Sequence, residues 1–147
     1  MKIKSILVAV ELDSKSESLE LAISLAEKYD SALTVINVIN DPLVDAEKYV
    51  YPLGDDDRVQ QKHNEDRLNK IVDKTMRRLG QKRMVTIHVL RGKPEEILNK
   101  EIKNHNANLL IVSHRPEWKL EHLMLGRALN RIVTQSSCAV LVIPESS

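Results

Sequence analysis

Five apolar runs of strand length constrain this chain more than any other feature: Ile6–Val10, Leu33–Ile39, Met84–Leu90, Leu109–Val112 and Ala139–Ile143. They are rich in β-branched residues and nearly continuous. A strand wetted on one side alternates apolar and polar residues, so continuous runs imply cover on both faces. Helical patterns separate the runs. The first opens at Ser14-Lys-Ser-Glu17, spaced as a capping box, and puts Leu19, Ala22, Ile23 and Ala26 on one stripe. The second, Val59–Leu79, mixes charges of both signs around a stripe of Leu68, Ile71, Val72, Met76 and Leu79, which reads as a solvated outer face. The third starts at Gly92-Lys-Pro94, where proline suits a first helical turn, with Ile97, Leu98 and Ile102 inward. The fourth runs from about His122 to Gln135 with Leu125, Leu129, Ile132 and Val133 as its stripe. This alternation predicts an α/β fold: a parallel sheet, right-handed crossovers and helices on both faces.

At 147 residues, a single domain over 1–147 accounts for the whole chain. Lys plus Arg number 22 against 21 Asp plus Glu, so no bulk positive charge recruits nucleic acid. With no Phe and one Trp, stacking platforms for single-stranded nucleic acid are also scarce. Cys138 is the single cysteine, which rules out an intrachain disulfide. The opening MKIKSILVAVEL reaches acidic residues too soon for a secretory signal, and no apolar window is as long as a membrane span. A cytoplasmic protein that binds neither membrane nor nucleic acid is expected. The irregular stretch Asn40–Arg58 carries Asp55-Asp56-Asp57, which reads as a solvated helix N-terminus rather than a cation site.

In a doubly wound sheet, ligands bind beyond the carboxyl ends of strands, where strand order reverses. Three such ends carry polar residues: Val10-Glu11-Leu12-Asp13, Val38-Ile39-Asn40 and Val112-Ser113-His114-Arg115. The stretches around them resemble the universal stress protein family. ILVAVELDSKSESLELAISLA is similar to that family's first strand, acidic turn and first helix, and LTVINV to its second strand. HVLRGKPEEIL resembles its third strand and Gly-x-Pro turn, and LLIVSHRPEW with GRALNRIVTQSSCAVLVIP its C-terminal third. The resemblance implies a Rossmann-like fold, akin to the adenine nucleotide alpha hydrolases, with five parallel strands in the order 3-2-1-4-5. It also implies a homodimer paired through the last strand, Ala139–Ile143.

Members of the family that bind ATP carry a glycine, two residues, a second glycine, nine residues, a third glycine, then Ser or Thr. Laid without a gap over SHRPEWKLEHLMLGR, residues 113–127, this spacing falls on Ser113, Pro116, Gly126 and Arg127. Only Gly126 matches. Glycines in such a loop let backbone N–H groups converge on phosphate oxygens. Pro116 has no N–H and pushes Arg115 toward extended backbone, while Ser113 adds a side chain but keeps a hydroxyl donor. Arg127 puts a long cation where a small hydroxyl residue belongs. At the adenine end the family's aspartate corresponds to Glu11, one methylene longer, and Val38 and Gly92 match positions that line base and ribose. The candidate nucleotide or anion site is therefore Glu11, Val38, Gly92, Ser113, Gly126 and Arg127, in degenerate form. ATP is expected to bind weakly or not at all. The basic side chains Arg115, Lys119 and Arg127, with a helix N-terminus near Gly126, would still attract an anion.

Other candidates carry less. His114 and His122, with Glu117 or Glu121, match no metal-ligand spacing and read as solvated loop histidines, so no metal is expected. His88 sits within a strand run. Cys138 reads as a buried structural thiol, and neither Ser113 nor Ser137 lies in a nucleophile-activating motif. Trp118 reads as packing the loop onto the fold. Three functions stay open at this point. One is a dimeric stress protein acting through protein partners, without a conventional cofactor and without catalysis. Another is an ATP-binding switch of the same family. A third is a small α/β enzyme, such as a relative of the adenine-nucleotide hydrolases, which would need an acid–base pair that the sequence does not display.

Overall fold

Strands and helices alternate along the chain: β1 (Ser5–Ala9), α1 (Glu17–Tyr29), β2 (Ala32–Asn40), α2 (Asp55–Arg78), β3 (Thr86–Gly92), α3 (Pro94–Asn104), β4 (Leu109–His114), α4 (Glu121–Gln135) and β5 (Ala139–Pro144). The computed structural model describes residues 2–13, 15–41, 54–114 and 121–144, the side chains of 121–126 excepted. All strand pairings are parallel. Their order is β3-β2-β1-β4-β5, the order that the resemblance implies.

Near-continuous apolar strands make sense in this sheet because each strand feeds two cores. Ile6, Val8, Leu33, Val35, Leu109 and Ile111 pack with Leu19 and Ile23 of α1 and Leu68 and Val72 of α2. Leu7, Ile36, Leu110 and Val112 turn to the other face, against Leu98 and Ile102 of α3 and Ile132 of α4. Burying one such side chain fully is worth about 1.5–3 kcal/mol. The register is set at the strand starts. The Lys4 and Ser5 amides donate to the Asn108 side-chain carbonyl at 2.7 and 3.0 Å, and the Asn108 amide donates to Ser5 carbonyl at 2.9 Å.

Four local expectations are corrected. α1 begins at Glu17 with Ser16 as its N-cap, in left-handed backbone at φ 62° and without a side-chain cap bond. Glu17 is thus a first-turn residue rather than the far end of a capping box, and Ser14 lies outside the described residues. α2 begins at Asp55 rather than Val59, so the acid run forms its first turn, where it complements the helix dipole. β3 begins at Thr86, and Met84 is 96% exposed ahead of it. α4 begins at Glu121, which places Gly126 in its second turn, not at a helix N-terminus.

Candidate functional site

β1 is flanked by β2 on one side and β4 on the other, so strand order reverses at its carboxyl end. A cleft of about 260 Å³ opens there, walled by α3 and α4. Side-chain alternation decides what faces it. Val38 and Asn40 share the parity of Ile36, which belongs to the α3/α4 core, and both line the cleft. Glu11 follows the parity of Leu7 and Ala9 and lines it from the exposed rim. On β4, Leu110 and Val112 face the α3/α4 core, so alternation turns His114 to that side. Ser113 shares the parity of Ile111 and borders the cleft from the strand end.

The far wall is apolar. Pro94 and Leu98 come from α3, and Leu129 and Ile132 from α4. A pocket with apolar walls and a few polar groups at its mouth has the make-up of a small-molecule site.

The structure therefore gathers Glu11, Val38 and Ser113 around one cleft. Gly92 and Arg127 are not among its described lining residues. Gly92 is buried at the end of β3, where its carbonyl accepts the Asp41 amide at 3.0 Å. Its φ of 152° is a conformation that a side chain disfavours, and it delivers the chain to Pro94 at the start of α3. Its effect on the cleft runs through that turn. Arg127 is exposed, while its neighbours Ala128 and Leu129 line the cleft.

Sequence reasoning placed Asn40 and His114 at candidate strand ends without assigning them to the site, and it missed Pro94 and Leu129. Pro94 and Leu129 looked like a helix-start signal and a core stripe, which they also are. His114 looked like a loop residue, although it is the last residue of β4. Counting parity along the apolar run Leu109–Val112 would have turned it toward the cleft face. Arg115, Pro116, Glu117, Trp118 and Lys119 lie outside the described residues.

Elsewhere, no group of three or more His, Cys, Asp or Glu is placed to hold a metal among the described residues. His88 lies in β3 with its ring 5.8 Å from that of His105, whose Nε2 is 3.0 Å from the Glu101 carboxylate. Cys138 precedes β5, half-buried, and its thiol donates to the Ala139 carbonyl at 3.4 Å. None of the described helices is long and apolar enough to cross a membrane.

Residues 2–144 match the sequence profile of the universal stress protein family. A universal stress protein from Synechocystis sp. (Slr1101) is 32% identical over 53 residues, which are 36% of this chain and 49% of that protein. The match thus spans about half of that relative. Among solved structures, a universal stress protein in complex with cAMP superposes with a TM-score of 0.73 at 14% identity, covering 99% of this chain and 100% of that one. A universal stress protein from Archaeoglobus fulgidus in complex with dAMP gives 0.64 at 17% identity, with 97% and 99% covered. UspA from Lactobacillus plantarum gives 0.65 at 18%, again with 97% and 99% covered. At these identities the structural likenesses establish the fold. The sequence profile, reaching from three residues before β1 through the last residue of β5, establishes that the chain belongs to the universal stress protein family.

Proposed function

We propose that the chain is a non-enzymatic stress-response regulator of the cytoplasm, a homodimer that acts through protein partners and binds ATP weakly or not at all. The observation that carries this reading is the phosphate end of the cleft. Ser113 and Pro116 stand where ATP-binding members have glycines. The one matching glycine, Gly126, lies inside α4, where its N–H serves the helix's own i→i−4 ladder instead of a phosphate oxygen. Each hydrogen bond lost to a charged group is worth about 1.5–3 kcal/mol. Losing two weakens binding by about a hundredfold or more.

The edge of the sheet supports the dimer. β5 pairs with β4 on one side only, and its residues Val140, Leu141 and Val142 are half-exposed. An apolar edge strand invites pairing with another chain, and a two-fold axis through β5 would cover both copies.

A second reading, a nucleotide-dependent switch, draws on the apolar cleft and on the two relatives solved with cAMP and dAMP. A monophosphate asks less of the loop than a triphosphate does. Nucleotide content of the purified protein separates the readings, by ultraviolet absorbance and mass spectrometry after denaturation. The first expects no stoichiometric nucleotide; about one bound nucleotide per chain would establish the second.

A further inference from the structure

The N-terminal half of α2, Asp55–Arg67, contains no buried residue, whereas Leu68, Val72 and Met76 anchor the rest of the helix in the α1/α2 core. What its inward stripe offers instead is polar. Asn64 Nδ2 donates to Asn37 Oδ1 at 3.2 Å, and Arg67 Nη2 donates to the Leu12 carbonyl at 3.3 Å and the Asp13 carboxylate at 3.2 Å. Asn37, 4% exposed in β2, donates in turn to the Val10 carbonyl at 2.9 Å.

A buried asparagine is disfavoured in a strand and costs free energy unless its amide is paired. Here the pairing has a purpose set by topology. The ladder between β1 and β2 ends where the Val10 amide donates to the Ile36 carbonyl at 2.8 Å. Beyond it, side chains take over the Val10 and Leu12 carbonyls, and the residue between them is Glu11. A trans peptide points its C=O and N–H in opposite directions. Holding the Val10 carbonyl toward Asn37 on β2 therefore turns the Glu11 amide toward the β4 side of β1, where Val112, Ser113 and His114 border the cleft.

We infer that Asn37, Asn64 and Arg67 are positioning residues for the cleft: from the opposite face of the sheet they fix the backbone on both sides of Glu11 and so set where Glu11 stands. This deepens the reading of the cleft as a ligand site and rests on it. It also makes the polar half of α2 the element through which a change on one face of the sheet reaches the cleft on the other.

The test uses Asn64→Ala with Arg67→Ala, Arg67→Lys as the conservative variant, and Lys62→Ala as a control in the exposed Lys62–Asp66 pair of the same helix. Backbone ¹⁵N relaxation is the first readout. In the double variant the order parameters of Glu11 and Leu12 should fall from about 0.85 to below about 0.6, with those of Leu68–Met76 unchanged. Lys62→Ala should move neither, and Arg67→Lys should recover part of the loss. Should the double variant not fold, Arg67→Ala alone carries the same readout, its side chain being 42% exposed.

Titration with AMP is the second readout. The double variant should bind about tenfold more weakly than wild type, with no further loss when Glu11→Ala is already present. A folded variant whose residues 10–13 keep their shifts and order overturns the inference, as does a loss additive with that of Glu11→Ala. If the wild type binds no AMP, the ligand reading fails, and the order parameters alone then decide the positioning role.

Discussion

The guanidinium of Arg91, at the end of β3, lies 3.5 Å from the carboxylate of Asp41, just past the end of β2. It also lies 3.6 Å from Asp57 in the first turn of α2, and Nη2 donates to Gln60 at 2.6 Å. One side chain, 10% exposed, thus ties the end of β2 to the start of α2. Both acids are mostly buried, at 18% and 31% exposure. Arg91→Ala removes the guanidinium that these two carboxylates share. A fully buried pair broken in this way costs about 3–5 kcal/mol; with partners partly wet, about 2 kcal/mol is expected, or a melting temperature lower by about 4–8 °C. Thermal unfolding of wild type and variant checks this. An unchanged melting temperature would show that Arg91 does not hold the two elements together.

Gly92, the next residue, should tolerate no side chain. Its φ of 152° belongs to a region that is essentially reserved for glycine, and residues forced there cost about 1–3 kcal/mol. Gly92→Ala is expected to lower stability by that amount in urea unfolding, with an unchanged m-value. Stability equal to wild type would mean that the turn into Pro94 relaxes freely.

Much of this fold was legible because the strands must satisfy two cores at once. Leu109-Leu110-Ile111-Val112 is continuous because successive residues feed opposite faces, and all four are buried. Apolar runs, however, overshoot where hydrophobicity continues past the sheet, as at Met84. They undershoot where a helix docks by polar contacts. Asp55–Arg58 carries no apolar residue, so periodicity starts α2 late. The bonds of Asn64 and Arg67 to other elements leave no trace in a hydrophobic pattern.

The site divides in the same way. Glu11, Val38 and Ser113 were legible from the rule that ligands gather at strand ends. Arg127 entered through loop spacing and Gly92 through its match to a family position, and neither says which residue the helix turns inward. Among the described residues of α4, those lining the cleft are the apolar Ala128, Leu129 and Ile132.

If β5 carries the dimer, a charge in its middle should split it. Leu141→Lys puts an ammonium in an apolar strand beside its symmetry copy, where like charges repel and desolvation adds to the cost. Light scattering at micromolar concentration should give a dimer mass for wild type and a monomer mass for the variant. Leu141 also packs on the α1/α2 core, so the comparison is made with circular dichroism showing the variant folded. A monomeric wild type, or a variant that stays dimeric, contradicts the proposed interface.

The most direct test of the central claim is calorimetry with Mg-ATP on the unmodified protein, beside the triple variant Ser113→Gly, Pro116→Gly, Arg127→Ser. If the loop is degenerate as proposed, the wild type gives little heat, with any affinity weak and falling as salt is raised. The variant, with the N–H at position 116 restored and a close approach opened at 113, should bind tighter by about tenfold or more. Micromolar or tighter binding of ATP by the unmodified protein would contradict the account and establish the nucleotide switch in its place.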